Sequence, residues 1–275
     1  MVEVLPGNDT IRSTWQYLFV EAADPRTSGW LLMGNPIPVV SILFAYLYFV
    51  LKCGPNYMKD KQPYSLKRIM MVYNLLQVAA NVYLFNEAIY MWSRFDWNCQ
   101  PLDLTTSAFA MRQSWGCYLY FLNKISDLLD TVFFVLRKKN KQISFLHLFH
   151  HTMMPFVTWI MVKYFPGGHI TFIGLANTFV HILLYGYYYL AALGPNIQKY
   201  LWWKKYITRL QLIQFCLVFI HNTQLLVFDC DFPKWTVLLT LPNAIFFYYL
   251  FNDFYKQSYD APKKDDKQKE KIKSK

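Results

Sequence analysis

Three of the six histidines in this 275-residue chain fall within one stretch, FLHLFHHTMMP, residues 145–155. His147, His150 and His151 stand at i, i+3 and i+4, so an α-helix carries them on one face, pointing into one shared space. Imidazoles grouped in this way suit three kinds of chemistry. They can ligate a metal, they can move protons, and one of them can take an acyl group from a thioester as a reactive acyl-imidazole while a carboxylate fixes the tautomer.

The segments around these histidines define the medium in which they work. The chain is 55% hydrophobic and 19% aromatic, has a positive mean hydropathy, and carries a net charge of +11, the composition of a polytopic membrane protein. Apolar runs of about 20 residues, enough for a helix to cross the hydrocarbon core, recur near 31–51, 69–92, 114–136, 143–162, 170–192, 207–228 and 235–254. Pro36 and Pro38 break the start of the first run. Residues 1–30 lack the apolar core of a cleavable signal, so the first helix is expected to direct its own insertion.

Lys and Arg orient the chain. With the N-terminus outside, the inside segments 52–68, 137–141, 193–209 and the tail from Lys256 hold 21 of these residues, against six outside: Arg12, Arg26, Arg94, Arg112, Lys163 and Lys234. Three further features agree. Cys99 and Cys230 fall in outside loops, where a disulfide persists; Asn8 heads an N-glycosylation sequon; and the C-terminal Lys-Ile-Lys-Ser-Lys sets Lys271 and Lys273 as in dilysine signals that return proteins to the endoplasmic reticulum. The expected organisation is an N-terminal lumenal arm over 1–30, a seven-helix membrane domain over 31–255 and a basic cytosolic tail over 256–275.

Ionisable groups inside spans are costly and usually face a cavity or one another. Counting ~1.5 Å per residue from the inside end of each span places Asp130 at ~9 Å, His147 to His151 at ~6–12 Å, His181 at ~16 Å, and Gln211 with Gln214 at ~6–10 Å. Four helices thus bring polar groups to one depth. Each has a coherent polar face: Lys124, Asp127 and Asp130-Thr131; Asn177, His181, Tyr185 and Tyr188; Thr208, Gln211 and Gln214. Interhelical hydrogen bonding alone accounts as well for Asn177, Thr208, Asn123, Asn74, Gln77 and Asn81. The outer halves of the spans are apolar. A polar chamber near the inside face, backed by an apolar interior, suits a charged head with a long acyl tail. Arg137-Lys138-Lys139 and Lys204-Lys205 would meet the head, although positive-inside orientation explains them equally.

HxxHH boxes also occur in membrane di-iron desaturases and hydroxylases, which carry several boxes and eight or more histidine ligands. Here there is one box, and His169 and His221 lie too far along their spans to join it. At most four histidines converge, which leaves a single-metal site with Asp130 as the alternative. Cys216, the one thiol at this depth, points away from the face of Gln211. A seven-span lipid transporter is the non-enzymatic alternative, although transporters more often place polar groups at the midplane of broken helices.

KISDLLDT (124–131), FFVLRKKN (133–140), HLFHH followed by Met154 and Pro155, NTFVHILLYGYY (177–188), GPNIQKYLWWKKYIT (194–208) and TRLQLIQF (208–215) resemble, in order, the signatures of the very-long-chain fatty acid elongases, the ELO family. The resemblance runs from about residue 24 through nearly the whole chain. It implies an all-α polytopic membrane protein with seven transmembrane helices, six forming a barrel around a closed acyl tunnel. It also implies a 3-oxoacyl-CoA synthase of the endoplasmic reticulum that condenses acyl-CoA with malonyl-CoA, releasing CO2 and CoA. That reaction needs no cofactor or metal. Expected partners are the two CoA substrates, membrane lipid, and the ketoreductase, dehydratase and enoyl reductase of the cycle. A homodimer is compatible with this reading and nucleic acid is not a partner.

By resemblance His150 is the nucleophile, assisted by His147, His151 and His181, with Asp130 orienting an imidazole. Arg137, Lys138, Tyr187, Lys204, Thr208 and Gln211 become CoA contacts, and Lys124, Asp127, Asn177 and Gln214 complete the substrate site. Asp127 stands where the family more often has Glu, so its reach to Lys124 is shorter, and Leu184 stands where Met is usual. HLFHHTMMP looks more like the branch acting on saturated and monounsaturated chains.

Overall fold

The computed structural model describes residues 13–260, within which there are helices and no strands. Eight helices carry the architecture: α1 (Ile37–Met58), α2 (Lys67–Trp92), α3 (Ala108–Ser126), α4 (Leu128–Leu136), α5 (Phe145–Tyr164), α6 (Phe172–Leu193), α7 (Lys204–Val227) and α8 (Val237–Tyr255). By length and apolar composition four of the helical segments can cross a membrane: α1, α2, His169–Leu193 containing α6, and α7.

Local sequence explains where these helices begin and end. Pro36 and Pro38 initiate α1, since a proline in the first turn gives up no helical hydrogen bond. They therefore delay its start to residue 37, and the helix continues through a π-turn at Phe49–Cys53 into the segment expected to be a loop from residue 52. Gly54 allows this continuation to cross α4: a Cβ there would lie 2.6 Å from Val135 Cγ1. Ser107 and Ser144 cap α3 and α5, their hydroxyls accepting from the amides of Ala110 and His147. The expected third span starts earlier than residue 114 and is two helices, broken at Asp127.

The loops assemble into two opposite ends. At one, basic end, Lys138 Nζ donates to the Lys59 carbonyl (3.0 Å), Lys67 Nζ to the Leu193 carbonyl (3.1 Å), and the Tyr64 amide to the Leu136 carbonyl (3.1 Å). At the other, Cys99 and Cys230 form a disulfide, the His169 amide donates to Gln100, and Arg26 Nη1 donates to the carbonyls of Asp103 and Thr105. Part of the N-terminal arm belongs to this end. The Asp24 amide donates to Lys163 O (2.8 Å) and the Thr27 hydroxyl to Val162 O (3.0 Å), and just past the arm Trp159 Nε1 donates to Leu32 O and Lys163 Nζ to Met33 O, each at 2.8 Å. Lys163, expected in an outside segment, is thus fully buried in the last turn of α5, where backbone carbonyls receive its ammonium.

α2 packs against α3 and α6, α3 against α5, α6 against α7, α7 against α8, and α8 meets α5; α1 lies against α4 and α5. Large apolar side chains such as Phe44, Leu76, Ile220 and Leu238 are exposed on the outside, whereas Asn74, Gln77, Asn81, Lys124 and Asp127 are buried. Apolar outside and polar within is the distribution a lipid solvent selects.

Candidate functional site

The break between α3 and α4 lies at the centre of a buried polar cluster. Ending α3 at Ser126 turns Asp127 toward α2 and α6, where it gathers three donors. Lys124 Nζ lies 2.8 Å from Asp127 Oδ2; Gln77 Nε2 and the Tyr185 hydroxyl lie 3.1 and 2.9 Å from Oδ1. The shorter Asp side chain therefore does reach Lys124. A buried ion pair is tolerated when its remaining lone pairs are also bonded, and here both oxygens are.

His181 closes the other side of this group. Its Nδ1 is 3.3 Å from Lys124 Nζ and 3.8 Å from Asp127 Oδ2. An ammonium has donors only, so Nδ1 accepts and the ring proton sits on Nε2. Asp130, expected to orient an imidazole, instead accepts from the Tyr185 hydroxyl at 2.8 Å, and Asp127 is the carboxylate beside a histidine. One tyrosine hydroxyl thus joins the two aspartates. Asn123 Nδ2 donates to Gln77 Oε1 (2.6 Å), Gln77 Nε2 also reaches Ser126 Oγ and the Tyr73 hydroxyl, and Tyr120 donates to Asn177 Oδ1 (2.9 Å).

The histidine box forms an adjoining wall. Pro155 removes the helical hydrogen bond to the His151 carbonyl, loosening α5 just where the box lies. His147 Nε2 shares a 2.8 Å hydrogen bond with Thr131 Oγ1, which shares another of the same length with the Tyr46 hydroxyl of α1. His147 and His151 rings lie 4.1 Å apart, His150 and His151 rings 5.4 Å apart. His150 packs against Phe247 and Phe251 of α8 and has no hydrogen bond among the described residues; His151 Nδ1 is buried and unpartnered. The box lies within electrostatic reach of Lys124, Asp127 and His181. No three His, Cys, Asp or Glu side chains among the described residues are grouped to hold a metal ion.

The other expected site residues lie nearer the basic end. Arg137 is half-buried with Nη1 3.1 Å from Met70 Sδ, Lys138 is tied to Lys59, and Tyr187 packs on Trp203 with Lys204 Nζ 6.0 Å from its ring. Thr208 and Gln214 are buried and Gln211 is half-buried on α7, but no hydrogen bond joins them to the Lys124–Asp127–His181 group. Asn8, Lys271 and Lys273 lie outside the described residues. His169 and His221 stack on each other, 3.9 Å between rings, near the disulfide.

Four contributors escaped the residue-level assignment. Tyr185 stands on the polar face read from the sequence with His181 but is given no role there, and Tyr120, at i−4 from Lys124, extends the polar face of that helix. Tyr73, at i−4 from Gln77, shares the polar face of Gln77 and Asn81, whereas Tyr46 occupies an otherwise apolar face and gives no such signal.

A family-wide sequence model described as the GNS1/SUR4 family (ELO) matches residues 31–267. The chain is 43% identical over 263 residues to very long chain fatty acid elongase 7 of Drosophila melanogaster, covering 94% of this chain and 79% of that one. It is 42% identical to very long chain fatty acid elongase 4 of Homo sapiens (94% and 82% covered) and 44% identical to very long chain fatty acid elongase 7 of Rattus norvegicus (88% and 87% covered).

Proposed function

Because the chain belongs to the ELO family, we propose that it is a fatty acid elongase, a 3-oxoacyl-CoA synthase that condenses a long-chain acyl-CoA with malonyl-CoA in the endoplasmic reticulum membrane. An imidazole nitrogen of His150 attacks the thioester carbonyl. The C–S bond breaks, CoA leaves with the bonding pair, and the acyl group rests on the imidazole. Loss of CO2 from malonyl-CoA then supplies the electron pair that forms the new C–C bond. The imidazole leaves, and 3-oxoacyl-CoA is the product.

One observation carries this reading: a ring of imidazoles on α5 and α6 adjoins the Lys124–Asp127 pair, and two of them, His150 and His151, make no side-chain hydrogen bond among the described residues. His147 is engaged by Thr131 and His181 by Lys124, whereas His150 makes no competing hydrogen bond among the described residues. His151, next to it, moves protons, and the Asp127–Lys124 pair holds His181 with Nε2–H presented for donation. Asp130, through Tyr185, positions that group. Arg137, Lys138 and Lys204 at the basic end meet the CoA phosphates, and Thr208, Gln211, Gln214 and Asn177 line the approach.

The packing order of α2, α3, α5, α8, α7 and α6 supports a six-helix barrel with α1 outside it, in a seven-span chain whose N-terminus is lumenal and basic end cytosolic. The chain preference read from HLFHHTMMP is for saturated or monounsaturated acyl groups. The partners are acyl-CoA, malonyl-CoA, membrane lipid and the enzymes that reduce, dehydrate and again reduce the product.

Purified protein incubated with acyl-CoA but no malonyl-CoA is expected to gain the mass of one acyl group, discharged when malonyl-CoA is added. His150→Ala should abolish the adduct and lower condensation by roughly a thousandfold or more, as for other covalent nucleophiles. Undiminished condensation in that variant refutes the assignment.

A further inference from the structure

The inner face of α1 is an apolar stripe with one hydroxyl in it. Val39, Leu43, Tyr46 and Val50 follow i, i+4, i+7 and i+11 and are buried, whereas Val40, Phe44, Tyr48 and Leu51 are exposed. Phenylalanine would fill such a stripe as well as tyrosine does, and a buried phenol costs free energy unless it is hydrogen-bonded. The Tyr46 hydroxyl meets Thr131 Oγ1 of α4 at 2.8 Å, and the same oxygen meets His147 Nε2 of α5 at 2.8 Å. α1 lies against both α4 and α5, so this chain of three groups runs through the seam where the helices meet.

Thr131 gives up its ordinary partner to join the chain. The hydroxyls of Thr152, Thr158, Thr178 and Thr240 each donate to the carbonyl four residues back in their own helix. Thr131 is fully buried and makes no such bond among the described residues. Its one proton therefore goes to Tyr46 or to His147. If it went to Tyr46, Nε2 would have to carry the ring proton, and the tyrosine proton would lie in an apolar stripe with no acceptor, because that hydroxyl has no second partner among the described residues. In the opposite direction every proton is used: Tyr46 donates to Thr131 and Thr131 donates to Nε2. An accepting Nε2 puts the ring proton of His147 on Nδ1.

We propose that Tyr46 is a positioning residue, acting through Thr131 to hold His147 in its Nδ1–H tautomer and in one orientation. The effect on rate rests on the elongase reading above; the tautomer rests on the geometry alone. His147 lies one helical turn before His151, with ring centroids 4.1 Å apart, so a fixed His147 is the surface on which His151 packs. Its Nε2 is occupied and does not compete for the acyl group or for substrate protons. The box then offers two imidazoles for chemistry, His150 and His151, and α1 serves the acyl-transfer step without touching the substrate. A hydrogen bond that only tied α1 to α4 would act on stability and not on the tautomer.

The full chain is prepared as wild type, Tyr46→Phe, Thr131→Val, the double variant, and Val50→Ala, which loosens the same face of α1 and keeps the hydroxyl. Condensation of a saturated acyl-CoA with malonyl-CoA gives kcat and KM, and thermal unfolding gives stability. Nitrogen NMR of protein labelled at the histidine rings gives the His147 tautomer, its signals identified by their loss in His147→Asn. Wild type should show one His147 tautomer, protonated at Nδ1, and Tyr46→Phe a mixture of two. Tyr46→Phe should lower kcat by roughly threefold to tenfold, the worth of one hydrogen bond, with KM unchanged. The double variant should match Thr131→Val, and Val50→Ala should lower the unfolding midpoint without that loss of kcat. Wild type that adds no malonyl carbon refutes the elongase reading, and the tautomer then decides the positioning role. His147 protonated at Nε2 in wild type, an unchanged kcat in Tyr46→Phe, or an equal loss of kcat in Val50→Ala at equal loss of midpoint overturns the proposal. If Tyr46→Phe does not fold, the wild-type tautomer and Thr131→Val decide.

Discussion

Tyr185 does more to organise the polar cluster than its place on a hydrophobic helix suggests. Its single hydroxyl reaches Asp127 at 2.9 Å and Asp130 at 2.8 Å; it is buried with Asp127, and Asp130 is half-buried beside them. Asp127 keeps Lys124 and Gln77 as donors without it, so the carboxylate that most depends on this hydroxyl is Asp130. Tyr185→Phe removes the donor and keeps the ring, so it should cost about 1–3 kcal/mol of stability, the penalty for leaving buried acceptors unpaired. On the proposed elongase reading, with the CoA end of the substrate at the basic end, it should also lower kcat more than it raises KM. Thermal unfolding and steady-state kinetics on the same preparation test both; a change in KM alone would place Tyr185 in binding. The histidines divide in the same physical terms. His147 and His181 are anchored by partners, and His150, flanked by Phe247 and Phe251, is held by shape alone.

At the scale of elements, breaks in regular helix do the positioning. The interruption at Asp127 lets one stretch of chain present Lys124 and Asp127 to α6 and Asp130 to Tyr185, which a straight helix with residues three apart would spread along its axis. Pro155 frees the carbonyl of His151, and Ser144 caps the first turn of the helix bearing the box. Gly54 controls how closely α1 approaches α4, and so whether Tyr46 can reach Thr131 and, through it, His147. Gly54→Ala, which sets a methyl 2.6 Å from Val135 Cγ1 and 2.8 Å from the Phe49 carbonyl, should destabilise by about 1–3 kcal/mol, the range for overpacking. A thermal unfolding midpoint equal to wild type would show that α1 is free to shift aside.

For the molecule as a whole, the two ends have different constructions. The basic end is joined by single lysine and amide contacts to carbonyls; the opposite end is bolted by the Cys99–Cys230 disulfide, the Asp24–Arg26 pair and the carbonyl contacts of Arg26 and Lys163. The disulfide spans 131 residues of sequence. Cys99→Ser should therefore lower stability by about 2–4 kcal/mol and remove the Cys99–Cys230 cross-linked peptide from a non-reducing digest. Finding both cysteines free in the wild-type protein would contradict the pairing.

Much of this was legible in the amino-acid order, and the physical reason is that it was local. Helical periodicity put His147, His150 and His151 on one face, His181 with Tyr185 on another, and Lys124 with Asp127 on a third. Apolar runs located the long helices to within a few residues, except at α1, which Pro36 and Pro38 start later and which runs on to Met58, and at α3, which starts earlier, at Ala108, and is divided from α4 at Asp127. Tertiary structure alone decided which groups meet across helices. Asp127, not Asp130, stands beside His181 because the chain turns at the break and α4 beyond it packs on α1 and α5. Thr131 joins Tyr46 to His147 because α1 crosses closely at Gly54. Such contacts depend on the relative depth and rotation of whole helices, quantities that no stretch of sequence carries by itself.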